Sequence, residues 1–172
     1  MAEVEPLPAA SVIVLRDGPL EVLMIRRHAD SSFVPDAWVF PGGVMDDEDN
    51  GDFRVTAARE LREETGIVVD PSELVPTSRW ITPVGLPKRF DTWFFLAVVP
   101  RDVAITIQQS EATEFLWIEP KPRRDLKMVF PTIKNLEALS GFTSARELME
   151  SRHGAIIEPV LPVLVDGKPA LR

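Results

Sequence analysis

The chain contains no cysteine, which excludes disulfides, thiol catalysis and thiolate metal sites. No stretch approaches the ~18 apolar residues of a membrane span. The opening Met-Ala-Glu-Val-Glu-Pro is acidic and lacks the basic start and apolar run of a secretory signal. These absences together lead to the expectation of a cytoplasmic protein with no membrane partner. Positive charge is also scarce: 19 Lys and Arg stand against 27 Asp and Glu, for a net charge of −8. Such a balance disfavours general binding to nucleic acid backbones. An anionic substrate must then be received through metal ions and a few local basic residues. The only two histidines, His28 and His153, are isolated and have no metal-ligand spacing. Internal repeats and low-complexity tracts are absent as well.

What remains is ordinary globular composition, 45% hydrophobic and 27% charged over 172 residues. That length is one domain's worth, large enough for a real core. The expected organisation is a single domain over 1–172, with a flexible 1–8 and a C-terminal docking segment over 156–172. Ala9–Leu15 and Glu21–Arg26 read as strands joined by the Asp17-Gly18-Pro19 turn, a hairpin pattern. Trp38–Phe40 is a short strand running into a glycine loop, and Asp46–Asp52 is an acidic loop. A helix is expected over Phe53–Thr65, with Phe53, Ala57, Ala58 and Leu61 on its apolar stripe. Leu74–Ile81, Thr92–Val99 and Phe115–Ile118 read as strands. Helical patterns follow over Phe130–Leu139 and Thr143–Ser151, the second with a cap at Thr143-Ser144 and Glu147 beyond it. Pro159 and Pro162 demote the apolar stretch Ile156–Leu164 to an edge or docking segment. Mixed strands with one central helix and late helices point to the α/β class, an α/β/α sandwich.

The chemistry is concentrated in Arg59-Glu60-Leu61-Arg62-Glu63-Glu64-Thr65-Gly66 and the preceding Phe40-Pro41-Gly42-Gly43. On a helix Glu60, Glu63 and Glu64 stand at i, i+3 and i+4 and share one face. Three like charges at that spacing repel, and a divalent cation removes the repulsion. Such carboxylate sets suit hard cations, Mg²⁺ or Mn²⁺. Gly66 stands where a terminating glycine is expected. The competing interpretation is a solvated charged face, with Arg59 and Glu63 as a simple i,i+4 pair.

Gly43 and the run Arg59-Glu60-Leu61-x-Glu63-Glu64-x-Gly66-Ile67 resemble the Nudix box, G-x5-E-x7-R-E-U-x-E-E-x-G-U. The second half matches at every defined position. Counted from Gly43, the first glutamate falls at Asp49 and the arginine at Ala57, whereas the arginine here is Arg59. The chain therefore carries two extra residues, and Glu48, Asp49 and Asp52 all stand as replacements for that glutamate. The resemblance implies the Nudix α/β/α fold with a mixed sheet and a central carboxylate-bearing helix. It implies a hydrolase that splits a nucleoside-diphosphate-linked substrate by attack of water on phosphorus, with Mg²⁺ or Mn²⁺. Glu60, Glu63, Glu64 and the Gly43 carbonyl would hold the metal, and Arg59 would orient the carboxylates. The general base would be Glu111 or Glu114, from Glu-x-x-Glu-x-x-Trp, with Glu111 preferred.

A second block, Trp80-Ile81-Thr82-Pro83 followed by Pro87-Lys88-Arg89-Phe90-Asp91-Thr92, resembles the Nudix motif nineteen group. Animal members of that group are coenzyme A diphosphatases, so coenzyme A or its acyl esters become candidate substrates. Arg26, Lys88 and Arg89 are the expected phosphate contacts, with Arg89 first because a guanidinium grips phosphate bidentately. Trp80 and Phe90 are candidates for stacking on a base, against a core role. A homodimer is a further expectation from the family. The alternatives are the same chemistry on ADP-ribose, a nucleotide sugar or a nucleoside triphosphate, and a non-catalytic nucleotide-binding module.

Overall fold

The structure, a computed structural model, describes residues 2–172. Its elements are, in order, β1 (Leu7–Arg16), β2 (Glu21–Arg27), β3 (Trp38–Val39), β4 (Gly42–Val44), α1 (Phe53–Thr65), β5 (Val75–Ile81), β6 (Phe90–Val98), β7 (Ala112–Ile118), α2 (Phe130–Leu139), α3 (Ala145–Arg152), β8 (Pro159–Val160), β9 (Val163–Val165) and β10 (Lys168–Ala170). Strand β1 is apolar on both faces because it is covered on both. Val12 and Val14 pack with Ala57 and Leu61 of α1, whereas Ile13 and Leu15 pack with Leu136 and Leu139 of α2 and Leu148 of α3. A strand buried on both faces has no polar face to show, hence the continuous apolar run.

Eight strands form one mixed sheet. β1 pairs in parallel with β6 over its whole length, Leu7 opposite Phe90 through Leu15 opposite Val98. On its other side the start of β1 pairs with β4, while its end pairs with β2. β2 also carries β7, and β5 joins β6 to β8. The α1 layer, the sheet and the α2–α3 layer make the expected α/β/α sandwich. Among the described residues no helix is long and apolar enough to cross a membrane.

Two details differ from the sequence reading. Leu7 and Pro8, expected in a flexible leader, open β1 and pair with β6; Met1 lies outside the described residues. The glycine loop is itself a strand, β4, whose Gly42 and Gly43 lie opposite Ser11 and Ala10. The proline-interrupted tail takes an edge position, as read: Pro159–Val160 adds to β5 at the end of the sheet, and beyond it β9 and β10 form a hairpin.

Leu61 is fully buried between α1 and the sheet. Leu61→Ala should cost about 2–5 kcal/mol in denaturant unfolding. Arg62→Ala, on the exposed face of the same helix, should change stability by less than about 0.5 kcal/mol.

Candidate active site

Local sequence sets the limits of α1. The Asp52 side chain caps it by accepting from the Arg54 N–H at 2.9 Å. Gly66 ends it in the left-handed region at φ 76°, donating its N–H to the Arg62 carbonyl, a conformation that favours glycine. With the ends set, Leu61 faces the sheet and the i,i+4 pair Glu60 and Glu64 faces β4. Contact there is very close: a Cβ on Gly43 would sit 2.5 Å from the Glu60 carboxyl carbon, and one on Gly42 would collide with Ser11 and the Ala10 carbonyl. Only glycine lets the backbone approach the carboxylates this closely.

Glu64 is 5% exposed and accepts one backbone N–H, from Gly42, at 3.2 Å. Burial pushes its carboxyl well above the usual range, and the neighbouring Glu60 adds to this, as does the charge of Glu111. Burial also raises Glu60, against the pull of Arg59. A divalent cation would relieve both groups, and the carboxylate oxygens beside the Gly43 backbone are the hard donors that Mg²⁺ or Mn²⁺ accepts. Glu63, on the same helix face, is half exposed and turned to Arg59 at 3.2 Å. Among the described residues no three such side chains converge into a metal-holding group. Glu60 and Glu64, more deeply placed and with Gly43 beside them, fit the cation.

Arg59 is the hub behind this pair. Its Nε donates to Asp49 Oδ1 and its Nη2 to Asp49 Oδ2, both at 2.9 Å. Nη1 reaches Glu60 at 3.1 Å and Glu63 at 3.2 Å, and Nη2 also meets the Val44 carbonyl at 3.3 Å. Asp49, 1% exposed, further accepts from Thr56 Oγ1 at 2.8 Å and the Asp46 N–H at 3.0 Å. Hydrogen bonding to Arg59 holds its carboxyl far below the usual range. Of the three acidic candidates for the first box glutamate, Asp49 is thus the one that meets Arg59. Asp52 caps the helix instead, and Glu48 is exposed. The count from Gly43 had pointed to Asp49; the two extra residues lie after it.

The loop bearing Glu111 is tied to the end of α1, Thr106 N–H to the Thr65 carbonyl at 2.9 Å and Gln108 N–H to the Glu64 carbonyl at 3.0 Å. Glu111 is exposed and close enough for its charge to act on Glu64. Glu114 instead faces Arg26 at 3.7 Å.

A cavity of about 410 Å³ adjoins Gly42, Gly43 and Val44, and Trp80, Lys88 and Phe90 line it. Arg27 lines it too, alongside Phe33, Phe40, Phe94 and Phe130. The sequence offered no signal for this aromatic lining, because it is gathered from distant segments. Two expected phosphate contacts are committed elsewhere. Arg26 pairs with Asp36 at 3.3 Å and with Glu114. Arg89 is buried, and it donates to Glu3 and the Val4 carbonyl, each at 2.7 Å, and to the Thr82 carbonyl at 3.0 Å. It clamps the N-terminal segment to β6 in place of gripping phosphate. Trp80 is buried and packs perpendicular to Phe130 at 5.9 Å, so it belongs to the apolar wall of the cavity.

Comparison with known proteins places this site. The NUDIX domain family matches residues 5–130. Among curated relatives, "Putative nudix hydrolase 7" of Caenorhabditis elegans is 34% identical over 151 residues, covering 66% of this chain and 51% of that protein. The RNA pyrophosphohydrolase of Dinoroseobacter shibae is 33% identical, covering 63% of this chain and 74% of its own. The "Peroxisomal coenzyme A diphosphatase ndx-8" of Caenorhabditis elegans is 40% identical over 70 residues, 39% of this chain and 30% of that protein. The chain thus spans about half the length of the first of these relatives. A crystal structure of a NUDIX hydrolase from Alicyclobacillus acidocaldarius superposes with a TM-score of 0.75 at 27% identity, covering 87% of this chain and 97% of that one.

The raised Glu64 carboxyl sets a pH dependence. A group whose folded pKa is raised holds its proton more tightly folded than unfolded, so its charging penalises the fold. In chelator, stability should fall as pH rises from about 5, above the ordinary carboxylate range, and Glu64→Gln should flatten that fall in thermal melts. Millimolar Mg²⁺ should restore the native chain and not the variant. Asp49 acts in the opposite sense: its stabilisation is present above its ordinary pKa of 3.8 and is lost as the medium becomes more acidic.

Proposed function

Because the chain belongs to the Nudix family, we propose that it is a divalent-metal-dependent hydrolase of a nucleoside-diphosphate-linked compound, with coenzyme A or an acyl-coenzyme A as substrate. The observation that carries this reading is the buried Glu64 with the partly buried Glu60 packed against Gly42 and Gly43, with Glu111 close enough to act on Glu64. When bound, a divalent cation supplies neutralisation of diphosphate charge and a lowered pKa for attacking water. Glu60 and Glu64 hold the cation, and Arg59, anchored by Asp49, positions Glu60 from behind. Glu111 accepts the proton of the attacking water. The water oxygen bonds to phosphorus as the anhydride P–O bond breaks, and the leaving phosphate departs with the bonding electrons. Lys88 and Arg27, at the cavity that adjoins the glycine strand, are the basic side chains available to substrate phosphates.

Three supports favour coenzyme A: the Trp80–Thr92 block, the similarity to a coenzyme A diphosphatase, and the apolar cavity beside the carboxylates. RNA suits a chain of net charge −8 less well.

Native protein with Mg²⁺ or Mn²⁺ should release adenosine 3′,5′-bisphosphate from coenzyme A, detected by mass-resolved chromatography. ADP-ribose and a 5′-triphosphorylated oligonucleotide belong in the same panel. Glu64→Gln should lower kcat by at least about 100-fold, the scale of losing a group that stabilises charge in the transition state. Cleavage of another panel member alone would move the substrate. No cleavage of any member would defeat the catalytic reading.

The roles of Glu111 and Glu114 separate in the same assay. Glu111→Gln should cut kcat by about 100-fold or more with KM little changed, the range of general base catalysis. Glu114→Gln should leave kcat within about threefold of native, since it faces Arg26. A larger loss for Glu114 would reverse the assignment.

A further inference from the structure

The cavity beside the glycine strand has a chemistry poorly matched to reading a nucleobase. No Asp, Glu, Asn or Gln side chain lines it, so it lacks the carboxylates and carboxamides that pair with base edges. Its rings pack on one another: Trp80 and Phe130 meet at 89°, Phe40 and Phe94 at 82°, and Phe33 and Phe90 at 68°. Such edge-to-face pairs build a mostly apolar wall, with Arg27, Lys88 and a few Ser and Thr side chains as its polar exceptions. A wall of this composition favours an apolar occupant.

Part of its lining comes from the C-terminal part of the chain. Thr132 of α2, Pro162 and Pro169 line it, and all three lie beyond residues 5–130, where the family match ends. Leu164 of the β9–β10 hairpin reaches to 3.6 Å from where a Gly85 side chain would begin, so the hairpin meets the loop that carries Leu86 and Lys88. Both of these also line the cavity. Gly42 and Gly43 line it as well, on the strand against which Glu60 and Glu64 rest. A substrate with its diphosphate at the carboxylates can therefore extend an attached group into this space.

We propose that the cavity takes an apolar substituent of the diphosphate substrate, an alkyl or acyl chain, and that the β9–β10 hairpin is the wall that selects for it. This rests on the diphosphate-hydrolase reading of the carboxylate site. Lys88 lines the cavity with its ammonium over aromatic rings: its Nζ lies 5.7 Å from the Phe90 ring centroid and 5.9 Å from that of Phe33. The same contacts bring its aliphatic stem along the apolar wall.

Binding without turnover tests this directly. Native protein is titrated calorimetrically with ethyl, butyl and octyl phosphate, and with Pro169→Asp and Leu164→Asp variants. Pro169 is exposed, so its variant should keep the fold; circular dichroism checks both. Affinity in the native chain should rise about two- to fourfold per added methylene. In Pro169→Asp the octyl compound should lose at least about tenfold in affinity while ethyl phosphate is unchanged. Equal affinity for all three chains, or the same chain-length slope in both variants, would overturn the proposal. In the hydrolysis assay, decanoyl-coenzyme A should show a lower KM than coenzyme A at similar kcat, and Pro169→Asp should erase that difference. Chain-length-dependent binding without hydrolysis of any diphosphate would support the cavity assignment and count against the catalytic reading alone.

Discussion

Everything at the site depends on one constraint, the burial of the Glu64 carboxylate between α1 and β4. A buried charge is costly unless it is paired. Glu64 has one backbone N–H from Gly42 and a second carboxylate as its neighbour. Among the described residues no cation pairs directly with it; Arg59 goes to Glu60, Glu63 and Asp49. The fold thus tolerates an electrostatic conflict that a divalent ion resolves. Binding of such an ion should couple to stability as any ligand of the folded state does.

The conflict persists because the surroundings are rigid. α1 is anchored through Ala57 and Leu61 to the two-faced strand β1. β4 is hydrogen-bonded to the same strand. Helix and glycine strand are therefore both referenced to β1, and neither can retreat from the other without breaking that shared support. The Arg59–Asp49 pair adds a polar brace. Asp49 is held by Thr56 of α1 and by the Asp46 N–H of its own turn, so the acidic segment, α1 and Val44 of β4 meet at one guanidinium.

How much of this could be seen in advance depended on the range of the interactions. Helix α1 was legible because its signals are local, Gly66 after it and the apolar stripe within it; Asp52, counted with the acidic loop, is its cap. The same holds for α2 and for the Ser144 cap of α3. Asp49 was only half legible, since the count from Gly43 reached it while the arginine spacing disagreed. Arg89 was misjudged because its partners, Glu3 and the Val4 carbonyl, lie some 85 residues away in sequence, and a basic residue in a loop pattern looks free. Strand β4 went unseen because a glycine pair has little strand propensity and is recruited by the edge of β1. The aromatic cavity was legible only in part: Trp80, Lys88 and Phe90 were candidates, but Phe33, Phe40, Phe94 and Phe130 join them only through β3, β5, β6, α2 and the tail.

Binding of Mn²⁺ followed by electron paramagnetic resonance tests the central claim most directly. Native protein should quench the free-ion signal, with Glu64→Gln and Glu60→Gln each weakening binding by at least about tenfold, as expected when a carboxylate ligand is lost from a hard-cation site. Glu63→Gln, whose side chain points to Arg59, should weaken it far less. Equal binding by native protein and the Glu64→Gln variant would contradict the account, because the buried carboxylate would then have no part in holding the ion.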